Sequence, residues 1–415
     1  MRRVIVAAFL TGLVMTLAVF GGSARGSTLP VVVGAVYPTT GPQGPGGREE
    51  FRGVELAAEF VNRQGGLRGR PIQLRLASPD SSHAVPTAVE WLARAGVTVV
   101  VGSYGTTISR PAAEAASRLG VVFWETGAVG ELSMAAASGE RVFRFAPTGG
   151  TLGRAAVAFV RDQLTPRLNR GRPLRYAVTY VDDAYGRAVG LGAIDEIKQS
   201  GLVLAATLPY DPVRVDYNDL ADRIAQVRTD VLVVSAYLQD GVALRWALAG
   251  KKVPLIASIG TSSSYCMPAF GEVLGEQAVG LFASDKPDAG ILHPERLAPE
   301  AARALRWARD EYQRRYGTAM SSAGLSGFAG GMALFRHVLP AAPDLSPSAV
   351  SRAAREVRLP AGTLPDGSGL AFAPPGQPDA RANLRATHVI WEWLRPKTRA
   401  IVWPPAFATH TIVSP

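Results

Sequence analysis

A regular alternation of apolar strands and amphipathic helices constrains this chain more than any other feature. Between residues 97 and 133, two apolar runs at 97–101 and 121–124 flank a helix-like segment, and each run ends in a loop of small residues. Short runs rich in β-branched and aromatic residues are typical of buried strands. Strand, helix and strand in succession predict a parallel sheet covered by helices. Such sheets bind ligands at the carboxyl ends of their strands, so we expect both loops to line a pocket.

The same alternation occurs twice along the 415 residues. One series occupies residues 29–146, and a second runs from a helix at 153–163 to a strand at 255–259. The segment 146–150, which contains proline and glycine, is a candidate crossing between two lobes. Three helices and a closing pair of strands are predicted at residues 299–316, 327–339, 348–357, 387–394 and 400–403. The sequence therefore predicts an α/β fold with two parallel-sheet lobes.

Residues 1–26 have the zones of a secretory signal peptide: a basic start, an apolar run at 4–20, and small residues around a cleavage site after Ala24 or Gly26. The alternative is a membrane anchor, but the run is shorter than the roughly 20 residues of a spanning helix. The single cysteine, Cys266, is far from this segment, which excludes a disulfide framework and a lipid-bearing residue at the cleavage site. We therefore expect a soluble protein of the periplasm.

The formal charge of +10 comes from arginines scattered along the chain. Nucleic-acid-binding proteins usually cluster their basic residues, so we expect no nucleic-acid partner. The five histidines have no metal-ligand spacing, and no serine, cysteine or pair of carboxylates stands in a catalytic motif. The sequence therefore predicts that the protein is not an enzyme and holds neither a metal nor a cofactor.

The loop that follows residues 97–101 has a composition suited to binding a small molecule. Ser103, Thr106 and Thr107 carry hydroxyls that donate and accept, while Gly102 and Gly105 let backbone amides approach a ligand. The next helix directs its N-terminal amides into the same space, which favours a carboxylate. The alternative is that these residues only cap the helix and solvate the loop. The glycine-rich stretch 41–47 contains two prolines and is expected to be irregular.

Three further residues stand at strand ends. Glu125 could bind a cationic group of the ligand or form a salt bridge with one of the many arginines. Tyr185 and Tyr237 occupy strand-end loops of the second series, where they could close over a ligand or pack against the hinge. The residues alone leave these alternatives open.

These segments resemble the leucine/isoleucine/valine-binding type of periplasmic solute-binding proteins of ABC transporters. The resemblance covers nearly the whole mature chain and rests on VVVGAVYPTTGPQG (31–44), VVVGSYGTTISRPAAEAA (99–116), GAVGEL (127–132), VFRFAPT (142–148), DDAYG (182–186) and AYLQD (236–240). It implies a type I periplasmic binding protein fold, in which two doubly wound lobes joined by a three-segment hinge close on a ligand. The implied lobes comprise residues 27–147 with about 285–383, and 148–284 with about 384–415.

The resemblance also implies ligand contacts. Residues 104–107 match the loop that binds the ligand α-carboxylate, and Tyr237 matches a tyrosine of the second lobe. The chain departs from the family at three places: Val129 stands where a threonine hydroxyl is usual, no acid lies near Ile259 where a glutamate binds the ammonium, and Gly46 replaces an aromatic residue. The predicted ligand-binding residues are Tyr104, Gly105, Thr106, Thr107, Glu125, Gly127, Ala128, Val129, Tyr185, Tyr237, Thr261 and Ser262.

The function implied is a monomeric receptor that binds a small organic solute and delivers it, through a transient contact, to an ABC permease in the inner membrane. The departures leave amino-acid-like ligands, organic acids and amides open, with Glu125 or Asp183 as partners for an ammonium group. A sensor or regulatory protein on the same fold is the alternative function.

Overall fold

The computed structural model describes residues 29–41, 43–132, 138–168, 171–374 and 380–413. The predicted signal peptide, residues 1–26, lies outside these ranges. The described chain forms two α/β lobes, each built on one largely parallel sheet, which confirms the predicted fold class. No helix in these ranges combines the length and the apolar character needed to cross a bilayer.

The first sheet has the order β2-β1-β3-β4-β5, and all its strands are parallel. Its strands are β1 (Val31–Val36), β2 (Ile72–Ala77), β3 (Val99–Gly102), β4 (Val122–Glu125) and β5 (Val142–Arg144). The connecting helices are α1 (Gly44–Asn62), α2 (Val85–Arg94) and α3 (Thr106–Leu119). Successive side chains of a strand face opposite sides of a sheet, so Val99 and Val101 pack in the core with α1, and Val100 in the core with α2 and α3.

The start of α1 differs from the expectation of an irregular loop through residues 41–47. The helix begins at Gly44, with Pro45 in its first turn. Proline fits there because the first helical N–H groups have no acceptor within the helix. A side chain at Gly47 would collide with the carbonyl of Pro38. The small residues therefore let the first turn of α1 lie against the end of β1.

The second sheet has the order β12-β11-β10-β9-β8-β6-β7. Its strands are β6 (Arg175–Val181), β7 (Val203–Tyr210), β8 (Val231–Ser235), β9 (Ala257–Thr261), β10 (Phe282–Asp285), β11 (Val389–Arg395) and β12 (Thr398–Trp403). Five of them are parallel, and the closing hairpin β11-β12 is antiparallel, with β11 paired to β10. The helices are α4 (Gly149–Phe159), α5 (Ala184–Gln199), α6 (Tyr217–Gln226), α7 (Leu238–Gly250) and α8 (Pro268–Leu274).

The remaining helices return to the first lobe. They are α9 (Pro299–Tyr316), α10 (Ser322–Met332), a π-helical segment (Ala333–Val338), α11 (Leu339–Ala341) and α12 (Pro347–Glu356). The helix predicted at 327–339 begins five residues earlier because the Ser321 hydroxyl caps it, accepting from Gly324 N at 3.2 Å. α10 packs closely on α1, where a side chain at Gly53 would collide with the carbonyl of Gly324.

The chain passes between the two sheets three times. It leaves β5 for α4 at residues 145–148, leaves β10 for α9 at 286–298, and returns to β11 at 384–388. Before that last passage, Phe372 packs edge-on against Trp124 of β4, with ring centroids 5.3 Å apart. We propose that these three passages form the hinge and bound the lobes near the positions expected from the sequence.

Candidate ligand-binding site

A cavity of about 250 Å³ lies where the strand-end loops of the two lobes meet. Ten of the twelve predicted residues line it: Tyr104, Gly105, Thr106, Thr107, Gly127, Ala128 and Val129 from the first lobe, and Tyr185, Tyr237 and Ser262 from the second. Glu125 and Thr261 are not in the lining. Loops that are far apart in the sequence therefore converge on one space, as the strand-end rule predicts.

On the first-lobe side, α3 begins directly after the loop that ends β3. Gly105 precedes the helix with a φ of 80°, a conformation that glycine adopts without strain. Within the described chain, nothing accepts a hydrogen bond from the amides of Thr106 and Thr107, both in the cavity lining. The Thr106 hydroxyl accepts from Gly130 N at 3.0 Å, which joins the two loops of this lobe. Free amides at the positive end of a helix favour an anion, such as a carboxylate.

The ring of Tyr104, which lines the cavity, lies beside Gly46, the position at which the sequence lacks an aromatic residue. A side chain at Gly46 would collide with the ring of Tyr104, so the ring lies directly against that glycine. Burial raises the pKa of Tyr104 well above its ordinary value, so the phenol stays protonated. An aromatic side chain therefore lines this part of the cavity, although it comes from a different loop.

Glu125 orients the second loop instead of facing the cavity. It is fully buried, and its Oε1 accepts from Gly127 N at 2.7 Å and from Ala128 N. Glu125 lies outside the cavity lining, and the charge that acts most strongly on it is that of Arg144. The chain turns sharply after β4 and brings the two backbone amides back to the carboxylate. Burial raises the pKa of Glu125, and the charge of Arg144 opposes that shift.

Two tyrosines line the second-lobe side of the cavity, and the hydroxyl of each contacts a polar side chain of the same lobe. Thr261 is fully buried outside the lining, and its hydroxyl is 3.0 Å from the hydroxyl of Tyr185. Tyr237 donates to Asp183 Oδ2 at 2.6 Å, and Asp183 Oδ1 accepts from Gly186 N at 2.8 Å, capping α5. The two rings lie 5.4 Å apart. Thr261 and Asp183 thus set the positions of the tyrosines.

Comparison with known proteins agrees with this arrangement. A family model described as periplasmic binding protein matches residues 30–385. The chain belongs to the periplasmic binding protein family. This membership confirms the resemblance carried by the sequence motifs and makes the chain one of a family of solute-binding proteins.

Relatives of this periplasmic binding protein include the Leu/Ile/Val-binding protein homolog 8 of Brucella abortus (strain 2308), which is 26% identical over 368 residues, or 88% of either chain. An ABC transporter substrate-binding protein from Sphaerobacter thermophilus has a TM-score of 0.73 at 19% identity, covering 93% of this chain and 100% of that one. A substrate-binding protein from Desulfitobacterium hafniense in complex with Leu has a TM-score of 0.67 at 19% identity, covering 88% and 98%. At these identities, the two structures establish the fold.

The cavity of this periplasmic binding protein also contains residues that the sequence analysis missed. The charged ones are Asp285 and Lys286, which follow one another at the end of β10, and Arg110 in α3. The others are Gln43, Pro111, Ala184, Ser263, Ser322 and Ala323, and Asp183 was considered only as an ammonium partner. A short apolar run ending at Asp285 was the available signal, because it marks one more strand end.

A buried polar network lies behind the Gly127 loop. Glu50 of α1 is fully buried and accepts from the Thr126 hydroxyl at 2.6 Å, and that hydroxyl is 2.5 Å from the hydroxyl of Tyr37. Burial raises the pKa of Glu50 to about 8, although the charge of Lys286 opposes the shift. A side chain at Gly127 would collide with the Glu50 carboxyl, so the loop must be glycine here.

Lys286 joins the chain segment that follows β10 to the Gly127 loop of the first lobe. It is 8% exposed, and its Nζ donates to the carbonyl of Gly127 at 3.0 Å. Across the described ranges, no group of three or more histidine, cysteine, aspartate or glutamate side chains could hold a metal ion. The arrangement as a whole offers amides, hydroxyls, aromatic rings and fixed charges around one cavity, which are the means of recognising a small polar molecule.

Proposed function

We propose that this protein is the solute-binding receptor of an ABC importer, which closes its lobes on a small organic solute and delivers it to a permease. The observation that carries the proposal is the cavity between the two lobes, with the free amides of α3 on one side and two positioned tyrosines on the other. A pocket shared by two hinged lobes couples solute binding to a change of shape that a permease can recognise.

The solute class follows from the first-lobe wall. Unpartnered amides at Thr106 and Thr107 supply donors for a carboxylate. The cavity volume of about 250 Å³ suits a small molecule. The Brucella relative is named as a Leu/Ile/Val-binding protein homolog, and the Desulfitobacterium protein was solved in complex with Leu, which supports an amino-acid-like solute.

The remaining features of the proposal follow from the sequence. Residues 1–26 direct export and are removed, and the mature protein acts in the periplasm as a monomer. It contacts the permease of the inner membrane transiently, binds no nucleic acid and catalyses no reaction on its solute.

Thermal-shift screening and calorimetry of residues 27–415 test this function. The protein is unfolded and refolded to remove bound solute, and then mixed with amino acids, organic acids and amides. A solute of one class should raise the melting temperature, because ligands that bind only the folded state stabilise it. If no solute in any class stabilises the refolded protein, the proposed function is wrong.

The Thr106→Val variant tests the location of the site. Valine leaves the amide of Gly130 without its acceptor and removes a hydroxyl from the cavity. The affinity for the solute should fall by about 1–3 kcal/mol, the cost of an unpaired buried polar group. Thr398→Val, at the exposed start of β12, is the matched control and should leave affinity unchanged. Equal affinities for Thr106→Val and the control would remove the α3 loop from the site.

A further inference from the structure

The cavity offers a solute little aliphatic surface. Among the described residues of its lining there is no leucine, isoleucine, methionine or phenylalanine. Val129 has the largest aliphatic side chain of the lining, but it is only 7% exposed and packs in the hydrophobic core of the second lobe. The other aliphatic residues of the lining are small: Pro111, Ala128, Ala184 and Ala323. The wall therefore has few aliphatic partners for a branched aliphatic group of a solute.

Tyrosine rings from both lobes supply apolar surface instead. Tyr104 lines the cavity from the first lobe, and Tyr185 and Tyr237 line it from the second. The ring centroids of Tyr185 and Tyr237 lie 5.4 Å apart, with the ring planes inclined at 41°. The hydroxyl contacts of these two residues with Thr261 and Asp183 hold both rings in place. Aromatic rings attract one another in offset and tilted arrangements, so fixed rings favour an aromatic ring on the solute beyond the area that it buries.

Two hydroxyls of the lining, those of Tyr104 and Ser262, have no hydrogen-bond partner in the part of the chain that the structure describes. The Ser262 hydroxyl oxygen is buried. Burial raises the pKa of Tyr104, so its phenol stays protonated and can both donate and accept. A solute that expels water from this space must supply partners for these hydroxyls, because a buried polar group without a partner costs free energy. A polar substituent on the solute can supply them, whereas an aliphatic side chain cannot.

We propose that the solute carries an aromatic ring with a polar substituent, such as a hydroxyl group, in addition to the carboxylate held at α3. The ring lies between Tyr104 of the first lobe and the two tyrosines of the second, and its substituent bonds the hydroxyls of Tyr104 and Ser262. This inference rests on the proposed function and narrows its solute class. It excludes solutes whose apolar part is a branched aliphatic chain, and it leaves the presence of an amine open.

Two series of probes test the inference, and each series keeps the acid end constant. The first is L-tyrosine, L-phenylalanine and L-leucine; the second is 3-(4-hydroxyphenyl)propanoate, 3-phenylpropanoate and 4-methylpentanoate. Calorimetry of the refolded wild-type protein measures the affinity for each probe. In the series that binds, the hydroxyphenyl member should bind at least about tenfold tighter than the branched aliphatic member, and the phenyl member should lie between them.

The double variant Tyr104→Phe, Ser262→Ala removes both open hydroxyls and keeps every ring of the cavity. Its affinity for the hydroxyphenyl member should fall at least about fivefold, while its affinity for the phenyl member should stay within about twofold of the wild type. The control variant Tyr176→Phe, Ser351→Ala makes the same two changes at buried positions outside the lining and should leave both affinities unchanged. If the double variant does not fold, as judged by circular dichroism, Tyr104→Phe alone replaces it with the same criteria.

Each outcome decides the matter. Wild-type protein that binds the branched aliphatic member as tightly as the hydroxyphenyl member overturns the inference while the proposed function stands. A double variant whose affinities for the hydroxyphenyl and phenyl members change alike has the same consequence. If neither series binds, a solute from the wider screen supports the inference when it has an aromatic ring with a polar substituent, and overturns it when it lacks either. Failure of the wild type to bind any solute overturns both the inference and the proposed function.

Discussion

Replacing Glu50 by glutamine should remove a pH-dependent loss of stability. Glu50 is fully buried between α1 and the Gly127 loop, and burial raises its pKa from 4.5 to about 8. Between these two values the folded protein holds a proton that the unfolded chain has released. The free energy of unfolding therefore falls as the pH rises through this range. Glutamine resembles the protonated acid and does not titrate, so the variant lacks this contribution.

The magnitude follows from the size of the shift. A difference of roughly 3.5 pKa units, at about 1.4 kcal/mol per unit, is on the order of 5 kcal/mol when complete above pH 8. About 2 kcal/mol of this loss of stability occurs between pH 5 and pH 7, because the difference in bound protons between the folded and unfolded chains sets the slope of stability with pH. Glu125 and Asp285 have pKa values raised in the same direction, but they are present in both proteins and largely cancel in the comparison.

Urea denaturation followed by circular dichroism at pH 5, 6, 7 and 8 measures the effect. The stability of the wild type relative to Glu50→Gln should decrease by about 2 kcal/mol from pH 5 to pH 7. Glu272→Gln, an exposed position on α8, is the control and should follow the wild type at every pH. Parallel stability curves for the wild type and Glu50→Gln would refute the reasoning, because they would mean that Glu50 titrates alike in the folded and unfolded chains.

Two further predictions concern a positioning contact and a helix interface. Tyr237→Phe leaves Asp183 without its hydroxyl donor, so the affinity for the solute, measured by calorimetry, should fall by about 1 kcal/mol. Adding Asp183→Asn to this variant should lower the affinity little further, because both substitutions break the same contact. Losses of affinity that add up would contradict a shared contact. Gly53→Ala forces a methyl group against the carbonyl of Gly324 and should destabilise the protein by about 1–3 kcal/mol in urea. Gly250 has open space where a side chain would lie, so the free energy of unfolding of the control variant Gly250→Ala should stay within about 1 kcal/mol of the wild type. Equal losses of stability in Gly53→Ala and Gly250→Ala would refute the packing argument.

Much of the site could be predicted because it depends on local rules. The run at residues 97–101 ends at a loop, the loop precedes a helix, and a parallel sheet brings such loops to one edge. Thr106 and Thr107 line the cavity for this reason, and Tyr185 and Tyr237 do so at the corresponding ends of the second sheet. Neither argument requires knowledge of contacts between distant parts of the chain.

The sequence predicted the site less well where a side chain could turn either towards the cavity or towards buried polar groups of the protein. Glu125 stands at a strand end, as expected of a ligand contact, but it bonds the amides of Gly127 and Ala128 and faces away from the cavity. Thr261 likewise holds Tyr185. The direction of such a side chain depends on which partner satisfies it when it is buried, and that partner is not visible in the pattern of strands and helices.

The sequence by itself determined the two α/β lobes, the strand-end loops and half of the cavity lining, because hydrophobic periodicity and turn residues act over a few positions. The tertiary structure alone decided that β10 enters the second sheet between β9 and β11 and carries Asp285 and Lys286 into the cavity. It also decided that α10 returns to pack on α1. Strand order and the return of a distant helix depend on which buried surfaces fit together, and such complementarity is a property of the assembled fold and not of any one segment.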